Sequence, residues 1–217
     1  MPAVFGPGAD LALRLVLYGI GIGGTVGLGL GLILPSTGYE TGRDRAPAQL
    51  VPFSHQHHVG GLGLDCRYCH GSVEVAANAG MPPSYTCMTC HSQIWNSAPM
   101  LAPVRQSMAE DKPLHWRRVY DLPDYVFFDH SIHVAKGVGC SECHGPVDEM
   151  RLTYKATSLQ MSWCLDCHRD PGPRLRPRDQ IFNLHWHRTP ETPAPDVLAA
   201  QYGIEVGKLQ DCSICHR

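Results

Sequence analysis

Three shortages bound what this 217-residue chain can be. Neither charge is in real excess: 18 Lys and Arg against 20 Asp and Glu leave a net charge of −2. No basic run is long enough to track phosphates, which argues against a nucleic-acid partner. Large aromatic side chains are few, five Phe and four Trp, and long aliphatic runs are missing beyond residue 34. An ordinary hydrophobic core would therefore be thin. No cysteine stands outside a regular motif, and that regularity excludes a disulfide framework. What the chain has instead is ten Cys and thirteen His, with 22 Gly and 18 Pro. Glycine and proline at that level predict many turns and few long regular elements.

The exception is residues 11–34, LALRLVLYGIGIGGTVGLGLGLIL, apolar apart from Arg14, Tyr18 and Thr25. As a helix they span roughly 36 Å, enough for a bilayer core of about 30 Å. The length, and the lack of a small-x-small site after it, favour an uncleaved anchor over a signal peptide. Gly19, Gly23, Gly27 and Gly31 recur at every fourth residue. They form a side-chain-free stripe along which another membrane helix can approach closely. Residues 1–10 are expected on the cytoplasmic side, 11–34 in the membrane, 35–50 as a polar linker, and 51–217 outside, with Arg14 inside against Arg43 and Arg45 outside.

All ten cysteines lie in C-x-x-C pairs, and a histidine follows each pair at once: Cys66/Cys69/His70, Cys87/Cys90/His91, Cys140/Cys143/His144, Cys164/Cys167/His168 and Cys212/Cys215/His216. This is the attachment motif of c-type haem. Two thiols add across the two vinyl groups of one porphyrin edge, and the adjacent histidine becomes the proximal ligand of the iron. Paired C-x-x-C motifs also make Cys₄ zinc sites, but five trailing histidines are no accident when histidine is 13 of 217 residues. Five covalently bound haem c are expected, with no other cofactor. Haem is attached outside the bacterial cytoplasm, so residues 51–217 are placed on the periplasmic side of the inner membrane. The porphyrins supply the core that the side chains lack.

Eight histidines lie outside these motifs: His55, His57, His58, His115, His130, His133, His185 and His187. Phe53-Ser-His55-Gln-His57-His58 resembles Phe128-Asp-His130-Ser-Ile-His133; both read F-x-H-x-x-H. A haem motif follows each after a similar gap, and a second 21 or 24 residues later. The chain thus repeats at about 75 residues: repeat 1 over about 51–110, repeat 2 over about 126–180, and a fifth motif within about 205–217. Histidines at i and i+3 share a helix face. They cannot both ligate one iron, because the porphyrin plane separates the two axial positions. Each is expected on a different haem, so the pair holds two haems side by side. His57 points away and is read as a bystander. Met161 is the first candidate for the fifth distal ligand, with His115, His185 and His187 as rivals; a thioether would make that haem the high-potential one. Arg67, Arg117, Arg118, Arg174, Arg176 and Arg178 are candidates to neutralise propionates.

The segments FSHQHHVGGLGLDCRYCH, AGMPPSYTCMTCHSQIW, VYDLPDYVFFDHSIHVAKGVGCSECHGPVDEM, LQMSWCLDCHR and DCSICHR resemble the pentahaem cytochrome subunit of alternative complex III. The resemblance covers most of the chain after residue 50 and includes the anchor. It implies a mainly irregular, small-helix multihaem cytochrome c fold with cytochrome c7/c3-like repeats. It also implies mostly bis-histidine ligation with one His/Met haem. The function it implies is a redox subunit, not an enzyme by itself, in a quinol-oxidising complex. Implied partners are iron–sulfur and polytopic membrane subunits and a monohaem cytochrome c subunit, with a soluble cytochrome c, a cupredoxin or a terminal oxidase as acceptor. NLHWHR at 183–188 is richer in histidine than the family pattern. The alternative is a self-sufficient membrane-anchored quinol dehydrogenase of the NapC/NirT type. A pentahaem nitrite reductase would need a C-x-x-C-K motif, and none of the five ends in lysine.

Overall fold

Residues Ala9–Ile33 form one long helix, α1. Its leucines, isoleucines and valines face outward on all sides and none is buried, the all-round apolar surface that a membrane-crossing helix needs. Two of its polar side chains bond within the helix: Arg14 pairs with Asp10 one turn away at 3.0 Å, and the Thr25 hydroxyl donates to the Gly21 carbonyl at 2.8 Å. A Cβ added at Gly19, Gly23, Gly27 or Gly31 would meet nothing within 4 Å. Pro35 ends the helix, since it has no amide N–H to continue the ladder, and a 3₁₀ turn, Leu34–Ser36, follows. With that turn, Ala9–Ser36 is long and apolar enough to cross a membrane. A short helix α2, Gly38–Thr41, closes on Gly42 in the left-handed conformation.

The computed structural model describes residue 6 and residues 8–216. It divides into two compact units, one ending at Gly42 and the other beginning at Arg43. The second unit therefore takes in the last eight residues of the stretch that reads as a linker. Its backbone returns early: the Asp44 N–H donates to the Lys155 carbonyl at 2.8 Å.

The second unit is a succession of short helices joined by loops: α3 Cys66–Cys69, α4 Ser84–His91, α5 Ala102–Glu110, α6 His130–Ala135, α7 Cys140–His144, α8 Met161–Arg169, α9 Pro195–Gln201 and α10 Cys212–Cys215. Among the described residues there is no strand, only three isolated bridges. Local chemistry sets the helix starts. The Asp65 carboxylate accepts from the Arg67 N–H at the head of α3, Asp129 caps α6 by accepting from Ser131 and Ile132, and Pro195 opens α9.

Apolar burial is sparse, as the shortage of large side chains foretells. Val51, Leu101 and Val104 form one cluster, with Cys87 and Met88 against it. Val73, Val134 and Ile181 form a second, with Cys140 and Phe182. Leu175, Leu198 and Tyr202 form a third, with Val138. Each cluster seats one or two haem-motif segments or the loops beside them, so the side-chain core frames the cysteine motifs rather than filling the centre. The centre is a cavity of about 3080 Å³, several times the roughly 300–1,000 Å³ of a site for one small ligand.

Candidate functional site

Each C-x-x-C is one turn of helix: α3, α7 and α10 are little more than the motif, while α4 and α8 carry it in their second half. Cysteines at i and i+3, followed by histidine at i+4, share one helix face. All ten cysteines and all five following histidines line the same cavity. No two of the ten cysteines form a disulfide. Burial pushes Cys140 up to about 11 and Cys143 up to about 12, and pushes Cys66, Cys69, Cys87, Cys164, Cys167 and Cys215 upward as well. Thiols held this high are poor nucleophiles at neutral pH, where the thiolate is the reactive form. Among the described residues, no group of three or more His, Cys, Asp or Glu could chelate a metal ion unaided.

The histidine rings meet in pairs. His58 faces His91 with centroids 6.2 Å apart, His130 faces His144 at 6.3 Å, and His133 faces His168 at 6.3 Å. An imidazole nitrogen sits about 2 Å from a first-row metal, and its ring centroid about 1.1 Å behind it, so two imidazoles on opposite sides of one ion have centroids about 6.2–6.3 Å apart. Each pair joins one histidine of an F-x-H-x-x-H segment to one histidine of a haem motif. His55 lies near His70: burial, then the His70 and His58 imidazoles, push it down to about 4. Burial likewise pushes His144 down to about 4 and lowers His133. These rings are neutral at physiological pH, as metal ligation requires.

Orientation comes from the other ring nitrogen. Seven Nδ1 atoms donate to backbone carbonyls: His58 to Ser54 (2.9 Å), His70 to Gly80 (2.8 Å), His91 to Ile94 (3.1 Å), His130 to Ala77 (2.8 Å), His133 to Asp129 (2.7 Å), His168 to Leu209 (2.8 Å) and His216 to Tyr125 (3.2 Å). A carbonyl can only accept, so in each neutral ring Nδ1 carries the proton and the lone pair is on Nε2, turned to the cavity. The eighth, His55, bonds the Thr153 hydroxyl through Nδ1 at 2.9 Å. His144 has the Tyr120 ring against it at 4.4 Å, and Tyr120 is held by its hydroxyl donating to the Cys143 carbonyl.

The two F-x-H-x-x-H segments match in three dimensions. Phe53 stacks on His58 (4.4 Å, 24°) and stands edge-on to His55 (4.9 Å, 86°). Phe128 stacks on His133 (4.4 Å, 25°) and stands edge-on to His130 (4.8 Å, 88°). The phenylalanine is a wedge that sets its two imidazoles roughly perpendicular. The residue after it caps the turn: the Ser54 hydroxyl accepts from the His57 N–H at 3.2 Å, as the Asp129 carboxylate accepts from Ser131 at 2.8 Å. Neither role was assigned from sequence, although the F-[S/D]-H pattern carried both. The backbones differ. His130–Ala135 is an α-helix, while His55 immediately precedes a π-helical turn, Gln56–Gly61. The wider turn is closed by the Leu62 N–H reaching the His57 carbonyl, and π turns of this kind concentrate at functional sites. Gly60 permits it, because a Cβ there would collide with the Asp148 carbonyl.

The remaining candidates scatter. His57 is exposed and stacks on Trp95 at 6.1 Å. His115 is exposed on the cavity margin. His185 is exposed and bonds Asp148 at 2.5 Å through Nε2; His187 is exposed. Met161 lines the cavity from the first turn of α8, 65% exposed, three residues before Cys164. Of the arginines, Arg176 is buried on Glu142 at 2.6 Å and Arg67 is paired with Asp65 at 2.8 Å. Arg118 pairs with Asp121 at 3.3 Å, and Arg178 lies over the Tyr202 ring. Arg117 is exposed and Arg174 half-buried on the cavity wall.

Comparison with known proteins agrees with this chemistry. Residues 126–217 match the family described as cytochrome c7 and related cytochrome c. Over 97 residues, 44% of this chain, the sequence is 36% identical to a protein of Nitratidesulfovibrio vulgaris named menaquinone reductase, multiheme cytochrome c subunit. That match covers 45% of the relative, so the chain spans less than half the length of the curated protein it resembles. The helix-rich second unit carries a cytochrome c7-like domain, preceded by one apolar helix that could cross a membrane.

Proposed function

We propose that this chain is a membrane-anchored electron-transfer subunit holding five covalent haem c, one per C-x-x-C-H motif. Haem supplies reversible one-electron chemistry when bound; the chain binds, orients and shields it. The observation that carries the reading is the set of three histidine pairs with centroids 6.2–6.3 Å apart. Each joins a distal histidine to a motif histidine, with Nδ1 held by a carbonyl on at least one side. The haem irons would then be held by His70 with His55, His91 with His58, His144 with His130, and His168 with His133. His216 would take Met161, which stands one helical turn before Cys164; the Cys164 thiol is pushed upward by burial and then by the nearby Cys215 thiol, which brings the fifth motif beside α8. The chain supplies no acid, base or nucleophile to a reaction.

The working context is a quinone-linked complex at the inner membrane, with the haem domain on the periplasmic side. The resemblance over most of the chain after residue 50 favours alternative complex III. Electrons would then come from quinol, through an iron–sulfur subunit and polytopic membrane subunits. They would leave to a monohaem cytochrome c subunit, a soluble cytochrome c or cupredoxin, or a terminal oxidase. The name of the Nitratidesulfovibrio relative, a menaquinone reductase subunit, favours a second reading, in which the same haems deliver electrons to menaquinone.

Mild-detergent purification tests both. Haem quantification should return five per chain, and mass spectrometry should find iron–sulfur and membrane subunits in the same particle. Quinol should then reduce the haems in the particle but not in this chain alone. A chain that purifies singly and oxidises quinol at full rate would overturn the complex-subunit reading in favour of a NapC/NirT-type dehydrogenase. Reduction of menaquinone by a pre-reduced particle, with no quinol oxidation, would select the second reading.

A further inference from the structure

We infer that the five haem-binding motifs stand in a row in the order two, one, three, four, five, so that the second and fifth motifs are its ends. The inference rests on the ligand pairs proposed above and on contacts between motifs.

Motifs one and two touch directly: the Tyr68 hydroxyl, inside Cys66–Cys69, hydrogen-bonds the Thr89 hydroxyl, inside Cys87–Cys90, at 2.8 Å. His55 and His58, on one turn, serve these two motifs. Motifs three and four are joined in the same way by His130 and His133, whose rings face His144 and His168.

The two repeats meet through their first motifs. Both the backbone N–H and Nδ1 of His130 donate to the Ala77 carbonyl, at 3.1 and 2.8 Å. Ala77 lies on the loop between His70 and Gly80, whose carbonyl takes the His70 Nδ1 proton. Cys140 packs on the cluster of Val73, Val134 and Ile181, which ties motif three to the residues just after motif one. By contrast, motif two sits on the separate cluster of Val51, Leu101 and Val104. None of the residues in that cluster comes from the second repeat.

The fifth motif joins at the fourth. The His168 Nδ1 donates to the Leu209 carbonyl, three residues before Cys212. The Phe127 N–H, beside the Phe128 that stacks on His133, donates to the Cys215 carbonyl at 2.7 Å. Burial agrees independently. The two exposed cysteines, Cys90 and Cys212, belong to motifs two and five, whereas both cysteines of motifs one, three and four are half-buried.

Chain order and spatial order therefore differ at the first two motifs. Motif two, not motif one, is the terminus a redox partner reaches without crossing another motif, and motif one lies between two neighbours.

Two variants of the full-length protein in detergent separate the orders. His58→Met and His55→Met each keep an axial ligand while raising the potential of one haem, which then fills first. Electrostatic repulsion from that early electron lowers the potentials of its neighbours. Haem methyl resonances followed through stepwise reduction read each haem separately. In His58→Met one neighbour should fall, and in His55→Met two should fall. Two neighbours in His58→Met with one in His55→Met is the chain-order pattern and overturns the inference, as does any other count. If neither variant shifts a potential of its own, the ligand pairing itself fails, and the order with it.

Discussion

Replacing Arg176 with methionine should be far more damaging than the same change two residues away, because Arg176 fastens the third haem motif from inside. Its side chain is 3% exposed. Nη2 donates to Glu142 Oε1 at 2.6 Å and to Ser141 Oγ at 2.7 Å, and Nη1 to the Asn183 carbonyl at 2.8 Å. The guanidinium lies 5.1 Å over the Trp186 ring and fills the space beside Gly139, where a Cβ would collide with it. Ser141 and Glu142 are the two residues between Cys140 and Cys143. Removing one partner of a buried ion pair costs about 3–5 kcal/mol; Glu142 keeps 27% of its side chain exposed, which puts the expected loss at the lower end, about 3 kcal/mol. Methionine keeps much of the apolar volume, so cavity formation adds little. Arg178→Met is the comparator: Arg178 is exposed, with its guanidinium 5.5 Å over Tyr202, a contact worth about 0.5–1 kcal/mol. The same physics predicts a rescue. Arg176→Met/Glu142→Leu removes both charges and should recover most of the loss, since buried pairs are often replaceable by apolar side chains. Urea unfolding of the detergent-solubilised protein, read by far-UV circular dichroism, measures all three. Arg176→Met within about 1 kcal/mol of Arg178→Met, or a double variant no better than Arg176→Met, would refute the argument.

Three further outcomes are expected. Met161→His should lower the potential of one haem in a potentiometric titration and leave four in place; five unchanged potentials would remove Met161 from the ligand set. Asp129→Ala should cost about 1 kcal/mol by uncapping α6, and Asp129→Asn much less, because asparagine still accepts from Ser131; equal losses in urea unfolding would count against the cap. Stability should fall as pH drops from 6.5 toward 4. His55 and His144 are pushed down to about 4, chiefly by burial, so in that window the unfolded chain binds protons that the folded chain does not. The slope is at most about 1.4 kcal/mol per pH unit for each histidine, with a plateau above 6.5. A urea midpoint that held or rose between pH 6.5 and 4.5 would contradict this.

The parts of the site visible in sequence were those encoded by spacing. C-x-x-C-H is a local pattern, and one helical turn converts it into two thiols and an imidazole on one face. The duplicated F-x-H-x-x-H was legible for the same reason, and α6 and the turn after His55 place its histidines against the motifs that follow them. Long-range choices were not legible. Nothing in a string of letters says that the His168 Nδ1 finds Leu209, or that His130 reaches across 53 positions to Ala77, because backbone carbonyls carry no residue identity. Arginine partners were illegible for a related reason. Six arginines were candidates to neutralise propionates; Arg176 is buried on Glu142 and Arg67 pairs with Asp65 at the surface, and which carboxylate an arginine finds is decided by packing. The π turn at Gln56–Gly61 shows the same limit at short range. The i, i+3 rule predicted the shared histidine face, but the extra residue in the turn is set by Gly60 passing the Asp148 carbonyl of the second repeat. A tertiary contact therefore adjusts the local geometry that places His55 and His58. If that contact matters, Gly60→Ala should disturb the first repeat's two haems together and leave the second repeat's pair alone, which separates packing between the repeats from ligand spacing within each.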